Sequence, residues 1–205
     1  MNVARVLFPV RVRGPGRRIG LWIAGCPRRC AGCSNPELWE AQPSQAISVQ
    51  KLVAMLAPIW QTGGADGFTL TGGDPLAQAH EMRSLLHALT HWTRDILIYT
   101  GYTLEELLSA GNDDVLACLA QTGVLIDGPY REAENRDVRL RGSANQRIFC
   151  FSPELSDRYR SYLANGRNEI QNFMTQDGMV SVGIHRPAFP EELAAAAHRK
   201  GVLFS

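Results

Sequence analysis

Apolar residues recur along this chain in two rhythms that take turns. Short runs of strand length, at residues 2–10, 19–24, 67–71, 96–100, 124–127 and 147–151, are rich in Val, Ile, Leu and aromatic side chains. Between them apolar positions return every three or four residues, as one face of a helix requires. Leu52, Val53, Leu56, Ile59 and Trp60 follow a capping Ser48, and Met82, Leu85, Leu86, Leu89 and Trp92 form a second stripe. Thr103-Leu104-Glu105-Glu106 fits a capping box, and Asp113-Asp114 opens a further helix with Val115, Leu116 and Leu119 turned inward. Gly63-Gly64, Gly101 and Gly128-Pro129 punctuate the segments. Strands alternating with helices predict an α/β fold with a parallel sheet and right-handed crossovers.

The character changes after residue 151. Ser152-Pro153 opens a helix reaching about Leu163. Runs at 170–175 and 179–184 flank Asp177-Gly178, a hairpin-turn pair, and a last helix runs from Pro190 to Lys200 with Gly201 as its cap. The expectation is a core domain over residues 1–151 and a helix–hairpin–helix extension over 152–205, packed on the same domain. Residues 129–146 are polar, arginine-rich and aperiodic, which marks a functional or mobile loop.

Composition narrows the classes. The chain has 205 residues, 45% of them hydrophobic, enough to bury one sizeable core. A net charge of +1 gives no field that argues for nucleic acid or for a membrane surface. No apolar stretch approaches membrane-spanning length, and no secretory signal is visible at the start. The five cysteines, an odd number, make a disulfide framework a poor reading and point to a reducing, cytoplasmic setting. Lys51 and Lys200 are the only lysines, so the positive charge is nearly all arginine. Arginines cluster at Arg11, Arg13, Arg17, Arg18, Arg28 and Arg29, and again at Arg131, Arg136, Arg139, Arg141 and Arg147. Of these, Arg17, Arg18, Arg28 and Arg29 are expected to form a positive rim nearest the cysteines.

The candidate chemistry lies directly after the second apolar run. Cys26, Cys30 and Cys33 stand at C-x3-C-x2-C in a loop containing glycine and proline. Three thiolates hold three irons of a [4Fe–4S] cluster and leave the fourth iron open to a ligand. A structural zinc site is the competing reading, although it usually shows cysteine pairs with a second pair or histidines further on, and His80 is the nearest histidine in sequence. Cys118 and Cys150 are isolated and read as small buried apolar residues. His80, His87 and His91 read as surface or boundary positions of one helix.

With Gly14-Pro15-Gly16-Arg17-Arg18 before the strand, and Gly25-Cys26-Pro27 through Asn35-Pro36-Glu37-Leu38-Trp39 around the cysteines, the chain resembles the radical S-adenosylmethionine (SAM) enzymes. Among these it looks most like the activating enzymes of glycyl radical proteins, above all the small activases of anaerobic ribonucleotide reductases. The likeness spans about Val10 to Arg147. Gly32 matches those activases, whereas Ser34 stands where they often carry an aromatic ring. The resemblance implies an incomplete βα barrel, open at the side where a partner inserts. It implies Cys26, Cys30 and Cys33 as cluster ligands, and SAM bound at Gly72-Gly73-Asp74-Pro75, which is similar to a Gly-Gly-Glu-Pro segment meeting the SAM amino group. Tyr99, Thr100 and Asp127, at later strand ends, resemble activase segments and are placed toward SAM, substrate or a cation. Arg141 through Arg147 suit partner docking or the SAM carboxylate.

The implied activity is reductive cleavage of SAM to a 5′-deoxyadenosyl radical that takes a hydrogen atom from a glycine of a partner glycyl radical enzyme. The electron would come from an acidic carrier such as a flavodoxin or ferredoxin. A radical SAM enzyme acting on a small molecule or peptide, 7-carboxy-7-deazaguanine-synthase-like or a peptide maturase, is the alternative of the same chemistry. A non-catalytic iron–sulfur or zinc-binding module is the alternative of another class.

Overall fold

The computed structural model describes residues 1–175, 178–186 and 188–199. Six strands form one sheet in sequence order: β1 (Val3–Val10), β2 (Arg18–Ile23), β3 (Gly67–Gly72), β4 (Ile96–Tyr99), β5 (Val124–Asp127) and β6 (Arg147–Cys150). The strands from β2 to β5 run parallel, whereas β1 and β6 pair antiparallel at the two edges. The parallel sheet expected from the alternation is therefore bounded by antiparallel strands. The reason is local. Only the short loop 11–17 joins β1 to β2, too few residues for the crossover that a parallel pair needs.

Helices α1 (Val49–Gly63), α2 (Ala79–Thr90), α3 (Leu104–Ser109) and α4 (Asp113–Gln121) make the connections between the parallel strands. Their apolar stripes meet one face of the sheet. Ile19, Leu21 and Ile23 of β2, Phe68 and Leu70 of β3 and Ile98 of β4 pack with Leu52, Leu56, Met82, Leu85, Leu86 and Leu119. Each such fully buried aliphatic chain contributes about 1.5–3 kcal/mol relative to exposure. Because strand side chains alternate, the intervening residues point to the other face: Thr69 and Thr71 of β3, Leu97 and Tyr99 of β4, and Ile126 of β5. Cys118 lies inside the helix-side core, its thiol donating to Ala79 O at 3.4 Å and pushed up to about 12 by burial. His80 pairs with Asp114 on the exposed side of α2, in keeping with a surface position.

Described segments that follow β5 cover the second face. Leu155 and Tyr159, at the start of and within α5 (Ser156–Ala164), pack on Leu97, Val124 and Ile126. Strands β7 (Ile170–Thr175) and β8 (Gly178–Gly183) pair antiparallel with each other and precede α6 (Phe189–Arg199). Asp177 of the expected turn and the expected helix end at Lys200-Gly201 lie outside the described residues. Val182 joins Val10, Val12, Trp22 and Leu38 in a small cluster. Gln171 donates to Pro9 O at 2.7 Å and accepts from Arg11 N at 2.9 Å.

Two of the four rim arginines are not on a rim. Arg18 is fully buried at the start of β2, at the end of the strand remote from the cysteines. It pairs with Asp95 Oδ1 at 2.9 Å and donates to Thr69 Oγ1 at 2.6 Å. Tyr159 donates to the same carboxylate at 2.7 Å, and Arg158 reaches its other oxygen at 3.3 Å, so α5 is braced to this edge. Arg17 lies over the Phe8 ring. The arginines adjacent in sequence diverge because β2 separates them from the loop that follows it.

Candidate functional site

The loop after β2 carries the cysteines to the C-terminal end of the parallel strands, the edge where open α/β sheets bind ligands. Its backbone is stitched to two neighbours. Gly25 N donates to Leu38 O at 2.8 Å and Cys26 N to Trp39 O at 3.0 Å. On the other side Gly73 N donates to Ile23 O at 2.6 Å and Asp74 N to Gly25 O at 2.9 Å. The two glycines of this segment are required by space. Gly72 has φ +107, and a Cβ on Gly73 would sit 2.4 Å from Gly25 O. Thus Gly72-Gly73 is a seam against the cysteine loop.

One cleft gathers Cys26, Cys30 and Cys33 with Gly72, Gly73, Tyr99 and Thr100, seven of the residues singled out by sequence. Asp74 and Pro75 stand behind its wall and are buried. The Asp74 carboxylate accepts from Leu76 N at 3.0 Å, from Gly101 N at 2.9 Å and from Thr100 Oγ1 at 3.0 Å. It is therefore a brace between the ends of β3 and β4. Burial pushes its pKa up to about 6, against those hydrogen bonds and the charge of Arg28. Asp127, fully buried at the end of β5, accepts from Leu104 N at 2.7 Å and pairs with Arg147. The Tyr99 hydroxyl donates to Leu140 O at 2.7 Å, and burial pushes it up to about 12 against the nearby Arg13.

The donor set suits an iron–sulfur group. All three thiols are free. Asn35 N donates to Cys33 Sγ at 3.4 Å. Burial pushes the Cys26 thiol up, opposed by backbone N–H groups of Arg29 and Arg28, the kind of donors that steady a thiolate. Arg29 has φ +45, the left-handed region, inside the turn between Cys26 and Cys30. Among the described residues no carboxylate lines the cleft, and no three His, Cys, Asp or Glu side chains are placed to share one metal ion. Buried polar atoms of the wall stand without partners: Arg13 Nε, Trp39 Nε1 and His185 Nε2. Such orphans are what a wall shows when a polar ligand belongs against it.

Arg28 and Arg29 do lie at the loop, but each has an acidic neighbour, Glu106 for Arg28 at 3.2 Å and Glu40 for Arg29. Arg28 also donates to Gly101 O at 2.9 Å and covers the Tyr102 ring. The loop 129–146 contributes Tyr130, Gly142 and Gln146 to the cleft and is held by its own polar side chains. Gln146 donates to Gly128 O at 2.9 Å and Asn145 to Pro129 O at 2.8 Å. Arg141 donates to Gln146 O at 2.9 Å within the loop, whereas Arg147, at the start of β6, is taken by Asp127 at the end of β5 and Glu105 of α3. Sequence reasoning gave no role to Arg13, nor to Gly183, Ile184 and His185 at the end of β8 and just after it, all of which line the cleft. No spacing signal ties residue 185 to residue 26; only the packing of β7 and β8 beside β1 and β2 brings them together.

Comparison with known proteins agrees with this geometry. A family described as a 4Fe-4S single cluster domain matches residues 12–149. The anaerobic ribonucleoside-triphosphate reductase-activating protein of Enterobacteria phage T4 is 34% identical over 155 residues, covering 73% of this chain and 94% of that protein. The protein of the same name from Vibrio cholerae serotype O1 is 32% identical over 153 residues, with 71% and 96% covered. The pyruvate formate-lyase-activating enzyme of Staphylococcus aureus is 27% identical over 149 residues, 71% of this chain and 59% of that enzyme. With its three cysteines on one loop at the strand ends, a match to the 4Fe-4S single cluster domain over most of its length and relatives above 30% identity named as activating proteins, this chain belongs to the radical SAM activating enzymes.

Proposed function

We propose that this enzyme binds one [4Fe–4S] cluster through Cys26, Cys30 and Cys33 and SAM beside it, and that it activates a glycyl radical partner, an anaerobic ribonucleotide reductase or a protein like it. When bound, the cluster supplies one electron and SAM supplies a 5′-deoxyadenosyl radical able to take a hydrogen atom from a glycine. The observation that carries the reading is the single cleft shared by three free thiols and the strand-end glycines. Gly72 and Gly73 line the cleft at the end of β3, with Thr100 and Tyr99 beside them, and an ammonium group would sit against this edge. Asp74, Pro75 and Asp127 position these strand ends from behind. In this reading residues 1–151 are the core, an incomplete barrel wall, and residues 152–205 a helix–hairpin–helix extension packed upon it. An acidic flavodoxin or ferredoxin would deliver the electron at the face carrying Arg28 and Arg29, in the cytoplasm. Among the described residues no helix is long and apolar enough to cross a membrane.

A second reading rests on one observation: Gly183, Ile184 and His185, which line the cleft, lie outside the stretch matched by the family. A cleft closed by added residues also suits a small molecule or peptide as substrate. Anaerobic reconstitution decides the shared chemistry. The protein should hold four irons and cleave SAM on reduction, Cys26→Ala, Cys30→Ala and Cys33→Ala should each lose the cluster, and Cys118→Ala and Cys150→Ala should keep it. Iron retained in all three loop variants would refute the ligand set. A glycyl radical seen by electron paramagnetic resonance in a co-incubated reductase separates the two substrates.

A further inference from the structure

Trp39 is fixed beside the first cysteine by its main chain. It follows the single helical turn Pro36–Leu38, its N–H donates to Pro36 O at 3.2 Å, and its carbonyl accepts from Cys26 N at 3.0 Å. Its side chain is partly buried and has two neighbouring spaces. With Cys26, Cys30 and Cys33 it lines the cleft, and with Gly25, Pro27 and Arg29 it lines a second hollow against the same loop. Among the described residues Cys26 and Trp39 are the only two that line both. The partition between the cleft and the second hollow is therefore built from a cysteine and an indole.

The one polar atom of that indole is unused. Trp39 Nε1 is buried and has no hydrogen-bond partner among the described residues. An indole nitrogen only donates, and a buried donor left unpaired is costly. The other three tryptophans have places elsewhere. Trp22 packs with Val10, Val12 and Leu38, and Trp60 and Trp92 stack on each other and on Phe68 in the helix-side core. What the cleft wall offers as acceptors beside Trp39 is sulfur, and Asn35 N already donates to Cys33 Sγ at 3.4 Å. A cluster seated on the loop multiplies such acceptors, since its inorganic sulfides and its thiolate ligands both take N–H donors. Hydrogen bonds to these sulfurs are one of the terms that set a cluster's potential. They favour the form with more negative charge, which is the reduced one.

We propose that the Trp39 indole donates its N–H to a sulfur of the cluster, sulfide or cysteinyl, and so raises the cluster's reduction potential, while its ring closes the cleft toward the second hollow. This role rests on the reading of the loop as a [4Fe–4S] site. Trp39→Phe keeps most of the ring and deletes the N–H; Trp39→Ala deletes both. The reconstituted proteins are titrated between oxidised and reduced cluster without SAM, followed by electron paramagnetic resonance, and their loss of iron to a chelator is timed. At one set solution potential the ratio of reduced to oxidised cluster in Trp39→Phe should be about three- to tenfold below wild type, which for one electron is about 28–59 mV. Iron loss from Trp39→Phe should match wild type, and that from Trp39→Ala should be at least about threefold faster. Wild type grown with indole-15N tryptophan should show a 15N hyperfine coupling on the reduced cluster, which Trp39→Phe lacks. An unchanged potential in Trp39→Phe, or no 15N coupling in wild type, overturns the hydrogen bond, and equal iron loss from Trp39→Ala overturns the partition. Should Trp39→Phe not load a cluster, the 15N coupling in wild type alone decides. A wild type that takes up no iron defeats the proposed function and this role with it, whereas loaded proteins with equal potentials defeat this role alone.

Discussion

Asp74→Ala distinguishes a carboxylate that braces the strand ends from one that is needed only by a ligand. Removing the side chain leaves Leu76 N, Gly101 N and the Thr100 hydroxyl without their acceptor. An unsatisfied buried donor costs about 1–3 kcal/mol, so three cost about 6 at central values. Against this stands the burial of the charge. The folded pKa of about 6 lies above the ordinary 3.8, and that gap corresponds to about 3 kcal/mol recovered at pH 7.5 when the carboxylate is removed. The net expectation is destabilisation by about 3 kcal/mol at pH 7.5. The pH dependence has a definite sign. Because the folded state holds the proton more tightly, the Asp74 contribution is greatest below pH 3.8 and is lost as pH rises through 6. Alanine abolishes that slope, so the difference between variant and wild type should be larger at pH 5 than at pH 7.5, by about 1.5 kcal/mol. Urea unfolding of the cluster-free proteins under reducing conditions at the two pH values measures both quantities. A variant as stable as wild type at both, with only SAM affinity lost, would refute the brace.

Other outcomes follow from the same geometry. Gly73→Val places a side chain where a Cβ meets Gly25 O at 2.4 Å, a backbone atom that can yield only by displacing the cysteine loop; about 1–3 kcal/mol of strain and a reduced iron content are expected, and full iron loading would refute the seam. Asp95→Ala leaves the fully buried Arg18 without its carboxylate and should cost about 3–5 kcal/mol in denaturant unfolding, whereas a loss below about 1 would mean the network is not a brace. Arg28→Glu with Arg29→Glu should slow cluster reduction by an acidic flavodoxin about tenfold at low salt while sparing reduction by dithionite. That difference should shrink as added salt screens it beyond about 8–10 Å, and equal flavodoxin rates at low salt would sink the docking face.

The sequence by itself determined the elements and singled out the cysteine loop. Burial on one face of a strand or helix leaves a period that a reader can count, so β2 to β5 and α1 to α4 stand where the apolar rhythm puts them. The cysteines were legible because all three belong to one loop, and Gly72-Gly73 because a glycine pair at a strand end is a local signature. What the tertiary structure decided are relations with no period. Arg17 and Arg18 are only nine and eight residues from Cys26 in the chain but stand at the opposite end of β2 from the cysteine loop, so the expected rim of four shrank to Arg28 and Arg29. Asp74 meets the Thr100 hydroxyl and Gly101 N, just past β4, because β3 and β4 are neighbours, an adjacency no single segment encodes. Arg13 and His185 are 172 positions apart, and they share a cleft only because the antiparallel pair β7 and β8 packs beside the entry to β2. Hydrophobic periodicity is written locally and survives reading one residue at a time; the pairing of a charge with its partner, or its lack of one, is fixed by which distant elements are packed together.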